Sequence, residues 1–329
     1  MSFPIEPYQH TLRSLVNCCG VGLHSGKTVN LSIKPAPINN GIRFFRADLP
    51  NTGHIQAYMG EVVDTQLATT LGNEHFRIST TEHLLAALQG FGIDNANIEL
   101  DSAEIPIMDG SAEPFFSLLK ITGKKKQNGL RKILCITKPI SYTNGDKFLT
   151  ISPYNGFKVT GDICFDDTLI KKQKFTFDLG AGRFGDEIAR ARTFGYVEQV
   201  EELWANGLAL GSSLENVIAI HWNRKSVLNE DGLRYDDEFV RHKVLDLVGD
   251  LALLGHPILG HVEAYKAGHT QHLGLMQNIV ASPECWEIVT MKKTGAHAVL
   301  QHVAAKSKAA ADALMPLFNC KPLHTANAA

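Results

Sequence analysis

Arg241-His242-Lys243-Val244-Leu245-Asp246-Leu247-Val248-Gly249-Asp250-Leu251-Ala252-Leu253-Leu254 reads as an apolar helix carrying one polar stripe. From Val244 to Leu254 the only charged residues are Asp246 and Asp250. His242, Asp246 and Asp250 follow an i, i+4, i+8 spacing, which drifts only about 40° per step on a helix and keeps all three on one face. Carboxylates on a helix this apolar need partners, because a buried unpaired charge is costly. A metal ion is one partner, since His and Asp at i, i+4 reach one ion from the same side. A buried ion-pair network with Lys243 or a distant arginine is the other, and the helix alone leaves both open.

The flanking halves each run strands first and helices later, which predicts α+β layers. In the first half, Val21 to Leu23 and Thr28 to Ile33 read as strands, followed by Ile42 to Phe45 and Asn97 to Leu100. Helices are expected over Thr80 to Gln89, stopping at Gly90, and over Ala112 to Leu119 with Pro114 in its first turn. Asp109-Gly110 is a turn. Lys124-Lys125-Lys126-Gln127-Asn128-Gly129, charged and polar, reads as a linker.

In the second half, strands are expected at Lys132 to Thr137, Phe148 to Ser152, Lys158 to Phe165, Lys174 to Asp178 and Gly260 to Ala267. Helices are expected over Asp186 to Arg192, from Val197, over Gln271 to Ala281 and over the Ala-rich Val299 to Leu314. The tail Pro322 to Ala329 reads as disordered. No internal repeat is visible in the residues, so duplication of the two halves is only a suggestion of the element order.

Length and composition set bounds. The 329 residues suffice for two domains, and 44% hydrophobic with 20% charged residues describes a soluble globular chain. A net charge of −2 argues against an electrostatic nucleic-acid binder. No stretch reads as a transmembrane span, and Met1 to Glu6 lacks a signal-peptide core. Six cysteines without a Cys-x-x-Cys pair, two of them adjacent at Cys18 and Cys19, suit a reducing cytoplasm.

Further constellations each have a plain alternative. Glu82-His83 opens a predicted helix and offers a metal ligand with a carboxylate base beside it. Yet Ser79-x-x-Glu82 is also a capping box. Gly268-His269 follows a strand, where Asp250 would orient the imidazole and favour an acid role; an exposed loop histidine is the bland reading. Arg190 and Arg192 suit a helix C-terminus, which is the plain reading; the alternative is that Thr193 and Phe194, at that turn, face a substrate. Gly20-Val21-Gly22-Leu23-His24-Ser25-Gly26-Lys27-Thr28 is not a phosphate loop: Val21 stands where glycine is required, and Lys27-Thr28 leads into a strand, so a β-turn is expected.

Taken in order, Gly20-Val-Gly-Leu-His-Ser-Gly, Ile78-Ser-Thr-Thr-Glu-His, Ile105-Pro-Ile-Met-Asp-Gly-Ser-Ala, Arg190-Ala-Arg-Thr-Phe-Gly, Leu228-Asn-Glu-Asp-Gly-Leu-Arg, Phe239-Val-Arg-His-Lys-Val-Leu-Asp and Gly268-His closely resemble the UDP-3-O-acyl-N-acetylglucosamine deacetylases of Gram-negative lipid A synthesis. The resemblance runs from about residue 10 to about residue 300. It implies a cytoplasmic, zinc-dependent amidohydrolase that removes acetate from a UDP-linked 3-O-acylated glucosamine, the committed step of that pathway. Ferrous iron is the alternative ion in the cell.

The resemblance also implies two similar two-layer α+β domains, with helices sandwiched between the sheets and the active site in the cleft. The domains would be 1–126 and 127–305, the latter with an acyl-chain insert near 197–211, followed by a C-terminal extension, 306–329. Carried over residue by residue, His83, His242 and Asp246 hold the metal. Glu82 is the base, His269 the acid or electrostatic partner oriented by Asp250, and Thr193 contacts the oxyanion. Phe194 and Lys243 line the site, while Lys147 and Lys266 lie near the nucleotide-sugar. Leu203, Leu208 and Leu210, with Trp204, would form the acyl passage; core packing is their plainer role. A monomer is expected, with no nucleic-acid partner and no stable membrane anchor.

Two rivals follow from the residues alone. Two histidines and a carboxylate also suit a non-haem iron oxygenase, although that class usually places its close pair on strands. A metal-stabilised binding protein is the other, against which Glu82 beside the metal argues.

Overall fold

The computed structural model describes residues 6–294 and 297–302. The first half holds β1 (Tyr8–Leu12), β2 (Val16–Val21), β3 (Thr28–Pro35), β4 (Ile42–Arg46) and β5 (Ile55–Gln56). Three short strands follow, β6 (Val62–Asp64), β7 (Thr70–Gly72) and β8 (Arg77–Ile78), then α1 (Glu82–Phe91), β9 (Ala96–Leu100) and α2 (Glu113–Thr122). The chain continues with β10 (Lys124–Leu130), β11 (Lys132–Ile136), β12 (Ile140–Asn144), β13 (Lys147–Ser152), β14 (Phe157–Cys164) and β15 (Lys172–Asp178). After these come β16 (Phe194–Tyr196), α3 (Val200–Ala205), β17 (Ile218–Ile220), α4 (Glu238–Leu251), β18 (Ile258–Tyr265), α5 (His269–Ala281), β19 (Trp286–Thr294) and β20 (His297–His302).

The fold is α+β, and its two main sheets repeat one topology. In the first, the strand order is β2-β3-β9-β4-β5, antiparallel throughout except that β9 runs parallel to β4. The second sheet has eight strands, of which β12-β13-β18-β14-β15 have the same pattern, with β18 parallel to β14; the start of β18 also pairs in parallel with β11, which carries β19 and β20. In each case a helix precedes the central strand and another follows it: α1 and α2 around β9, α4 and α5 around β18. Duplication is therefore visible in the strand order although no sequence repeat shows it.

The helices meet between these layers. α1 packs along α4, which lies on β14 and β15, while α5 lies on β12 and β13. Residues Glu82 to Leu88 of α1 are all buried, as are nearly all of α4, so both helices are covered on every side. One apolar core joins Leu31, Ile33 and Ile98 to Leu84, Val248, Leu149 and Val262. Among the described residues, no helix is long and apolar enough to cross a membrane.

Several expected elements differ. Lys124 to Gly129 is no linker: it lies in β10, paired antiparallel with β1, and the 126/127 boundary falls inside this strand. Its side chains are mostly exposed, so both faces are polar and no alternation betrays the strand. The Lys126 ammonium sits 3.5 Å from the Tyr8 ring centroid. α1 passes Gly90 and ends at Phe91, with Gly92 in the left-handed region at φ 80°. The helix expected over Asp186 to Arg192 is one π-turn, Gly185–Ala189. The helix expected from Val299 begins instead as β20, because the chain pairs with β19 from His297 to His302. Residues 303–314, the extension 306–329 and the tail from Pro322 lie outside the described residues. The strand expected over Val21 to Leu23 lies earlier, as β2, with Leu23 already in the turn, and β1, β5 to β8, β12, β16, β17 and β19 have no counterpart among the expected strands.

Candidate metal centre and active site

The start of α4 is fastened by a buried ion pair. Arg192 donates through Nε to Glu238 Oε1 at 2.9 Å, and its backbone N–H meets the same oxygen at 3.0 Å. The arginine thus holds Glu238 rather than a helix C-terminus. Opposite α4, the chain enters α1 through Thr80, whose φ of 59° is unusual for a β-branched residue. α1 then crosses α4 at Gly249, where an added Cβ would lie 2.0 Å from the Glu82 carbonyl oxygen. Only glycine lets the two backbones approach this closely, and that approach sets Glu82-His83 against the polar stripe.

His83, His242 and Asp246 come together there, buried, with one ligand atom from each lying within 4.8 Å of the others. Asp246 Oδ1 is 3.3 Å from His242 Nε2 and 3.5 Å from His83 Nε2. Nδ1 of His242 faces the Ala191 carbonyl oxygen at 3.0 Å, which places the proton there and leaves the Nε2 lone pair facing the cluster. Burial pushes His242 down to about 3, so its imidazole is neutral, the form that ligates. Burial opposes ionisation of Asp246, but the Lys243 ammonium beside it holds its carboxyl well below the usual range. Lys243 Nζ donates to Asp246 Oδ2 at 2.9 Å, whereas Oδ1 is buried without a hydrogen-bond donor. A buried anionic oxygen left over beside two histidines fits a cation. The ion-pair alternative accounts for Oδ2 and leaves Oδ1 unexplained.

Glu82 is buried beside this trio. The capping box does not form: Ser79 Oγ accepts from Thr70 Oγ1, and Glu82 Oε2 accepts from the Thr69 backbone N–H at 3.1 Å. Burial raises the Glu82 pKa, which poises the carboxylate as a proton acceptor nearer neutral pH. His269 Nε2 lies 3.9 Å from Glu82 Oε1. Its Nδ1 is 2.7 Å from Asp250 Oδ2, and burial, which would lower its pKa, is overcome by Asp250 and Glu82, raising it to about 9. His269 is therefore an imidazolium at neutral pH. Thr69 Oγ1 donates to Asp250 Oδ1 at 2.6 Å, and His272 Nδ1 is 2.7 Å from Oδ2. The sequence reading missed Thr69 and His272. The His269-x-x-His272 spacing was a signal for the second, whereas Thr69 had none.

Thr193 and Phe194 stand at the rim. The Phe194 ring lies 6.3 Å from that of His242, and Lys243 Nζ lies 5.7 Å from the Phe194 centroid. Thr193 is clamped by its backbone: its N–H donates to Gly110 O, and its carbonyl accepts from Ile218 N, both at 2.8 Å. The Asp109-Gly110 turn is itself tied across the halves, with Asp109 Oδ2 accepting from Arg234 Nη1 at 2.8 Å. An alanine Cβ at Gly110 would meet Asn216 O at 2.1 Å, at a φ of +84°. Gly110→Ala should thus destabilise the fold by about 1–3 kcal/mol and displace Thr193. Urea melts and activity, measured together, check this; wild-type values in both would remove the turn from any positioning role.

The remaining expected residues lie apart from the trio. Lys266 Nζ donates to Asp146 Oδ2 at 2.7 Å, next to Lys147 at the end of the second sheet where Phe148 pairs with Tyr265. No hydrogen bond or ion pair among the described residues links either lysine to the trio. Leu203 and Leu208 are half-buried, and Leu210 is 52% exposed, so core packing does not describe them. The segment is pinned by Leu210 and Gly211 N–H groups donating to His24 and Leu23 carbonyls. At that turn, Glu104 accepts from the His24 and Ser25 N–H groups, filling with a carboxylate the place a phosphate loop would offer an anion.

Comparison with known proteins adds an independent line. The family model described as UDP-3-O-acyl N-acetylglycosamine deacetylase matches residues 9–281. A UDP-3-O-acyl-N-acetylglucosamine deacetylase of Myxococcus xanthus is 47% identical over 290 residues, 88% of this chain and 92% of its own length. That of Acidithiobacillus ferrooxidans is 47% identical over 85% of this chain and 92% of its own. For Shewanella pealeana the figures are 48%, 87% and 94%.

Proposed function

This chain belongs to the UDP-3-O-acyl N-acetylglycosamine deacetylase family, and on that footing we propose that it hydrolyses the acetamide of UDP-3-O-acyl-N-acetylglucosamine. The products are acetate and UDP-3-O-acyl-glucosamine, for lipid A biosynthesis. The single observation that carries the reading is the unpartnered Asp246 Oδ1 between two histidine nitrogens, with the Glu82 carboxylate alongside. His83, His242 and Asp246 would hold zinc, or ferrous iron in its place. When bound, the ion supplies Lewis acidity, lowering the pKa of water and polarising the amide carbonyl.

The chain's own groups do the rest. Glu82 takes the proton of the attacking water, its Oε2 held by the Thr69 N–H so that the carboxylate cannot turn away. Positive charge on His269 stabilises the oxyanion and supplies a proton to the leaving amine, while Asp250 fixes the ring. The Thr193 hydroxyl contacts the oxyanion, and Phe194 and Lys243 line the approach. Lys147 and Lys266 are assigned to the nucleotide-sugar, and Leu203, Leu208 and Leu210 to the acyl chain. The exposure of Leu210 and Trp204, 52% each, supports that last role. We further propose two domains that meet at β10 rather than at a linker, acting as a monomer in the cytoplasm; the five described cysteines are all free.

Acetate release from UDP-N-acetylglucosamine substrates that differ only in their 3-O-acyl chain tests the reading. Turnover should require the acyl chain and depend on its length. Equal turnover without the chain, or no acetate from any member, would refute it.

The charges around Glu82 and His269 set the expected pH profile. A Glu82 pKa above the ordinary carboxylate value places the acid limb above about 4.5, since activity requires the ionised form. His269 is active while protonated, so activity falls as pH rises through about 9. The same shift stabilises the fold fully below the ordinary histidine pKa of 6.5, and that stabilisation is lost as pH rises through about 9. His269→Ala should lower the rate about 100-fold or more and abolish the alkaline limb. An unchanged limb would assign that ionisation to another group.

A further inference from the structure

Asp250 serves two histidines through one oxygen. His269 and His272 lie three residues apart on α5, their rings 5.7 Å apart and at 76°. Each places Nδ1 2.7 Å from Asp250 Oδ2, while Thr69 Oγ1 occupies Oδ1 at 2.6 Å. The Asp250 carboxyl stays ionised: burial opposes this, but both histidines pull its pKa down. A carboxylate only accepts hydrogen bonds, so both Nδ1 atoms carry protons. With both protons in place, these three residues form a hydrogen-bonded network rather than a second ligand set. Burial lowers the His272 pKa, leaving it a neutral donor beside the charged His269.

We propose that His272 is a positioning residue for the deacetylation: by donating to the same oxygen that holds His269, it locks the Asp250 carboxylate and takes up part of that oxygen's accepting capacity. The inference rests on the deacetylase reading of the site and adds a residue to it. Two consequences follow. The carboxylate cannot rotate, because Oδ1 is tied to Thr69 and Oδ2 to two rings, so the His269 ring is aimed by a rigid acceptor. The negative charge felt by His269 is also reduced, because a second N–H shares it.

Other groups facing His269 are Asp246 from α4 and Glu82 from α1, both of which favour its charged form. His272 is influenced by Asp250, Asp246 and His269. Beneath α5, Tyr142 of β12 packs at Gly274. Of these groups, His272 alone donates to the oxygen that holds His269.

The test uses the full, metal-loaded protein and two variants. His272→Leu keeps bulk and removes the donor; His272→Asn keeps an amide N–H near the position of Nδ1. With His272→Leu, the alkaline limb of kcat/KM should move up by roughly half to one pH unit, and kcat should fall several-fold with KM little changed. His272→Asn should restore much of both. Coincident limbs in all three proteins would overturn the proposal. A second measurement needs no variant: nitrogen-15 NMR of histidine-labelled wild type should show His272 as the Nδ1–H tautomer, with its proton shifted downfield. An Nε2–H tautomer would overturn the proposal even if the leucine variant does not fold. Failure of the wild type to release acetate would instead refute the deacetylase reading, leaving the tautomer result to be judged separately.

Discussion

His83→Ala and His242→Ala should each purify folded but with little bound divalent metal, and release acetate at least 100-fold more slowly than the wild type. The expectation follows from the count of donors. Three protein groups converge, and a catalytic site of this kind needs all three while leaving a position open. Even partners outside the ligand set are commonly worth 10–100-fold in metal affinity or activity, so a ligand should be worth at least as much. Each replacement also leaves Asp246 Oδ1 one neighbour poorer, with Lys243 holding only Oδ2. An ion-pair network predicts something different: with Lys243 still in place, loss of His83 would change stability and leave metal content at its original, low level. Metal analysis on folded protein, with circular dichroism as the control, separates the two. Full occupancy in the double variant would remove the trio from the metal.

Gly249→Ala should reduce kcat about 100-fold and lower stability by about 1–3 kcal/mol, although position 249 carries no side chain to do chemistry. A Cβ there would stand 2.0 Å from the Glu82 carbonyl oxygen, 2.7 Å from its carbon and 3.0 Å from its Cα. Those are backbone atoms of another helix, so no rotamer change relieves the clash, and α1 must back away from α4. Glu82 and His83 ride on α1, whereas His242, Asp246 and Asp250 ride on α4. A displacement of the order of 1 Å therefore separates base from acid and divides the ligand set. Thermal melts, metal content and turnover on one preparation check this. Unchanged turnover would show that the crossing does not set the site.

The legible part of the site was the part in which chemistry breaks a pattern. Asp246 and Asp250 stood out because charge is rare on an apolar helix. Glu82-His83 was ambiguous, because a capping box uses the same residues, and only the bond from Thr69 N–H to Glu82 decides between them. Thr69 was beyond reach: its partner Asp250 lies 181 residues away, and nothing about a threonine announces such a partner. β10 was misread because a strand exposed on both sides has no alternation, and its partner β1 lies at the other end of the half. The Ala-rich stretch from Val299 has helical propensity, but pairing with β19 overrides it through His302. The repeated strand order was invisible for a related reason: sheets are joined by backbone groups, which every residue supplies.

The most direct measurement is a metal titration of the stripped enzyme. The protein is freed of metal by chelation, zinc is returned in substoichiometric steps, and acetate release from UDP-3-O-acyl-N-acetylglucosamine is followed alongside bound metal. Activity should be absent at the start, rise linearly with occupancy and stop rising at one ion per chain, while Glu82→Gln should bind the same single ion and stay nearly inactive. Undiminished acetate release from the metal-free protein, or near-wild-type turnover by the zinc-loaded Glu82→Gln variant, would contradict the account.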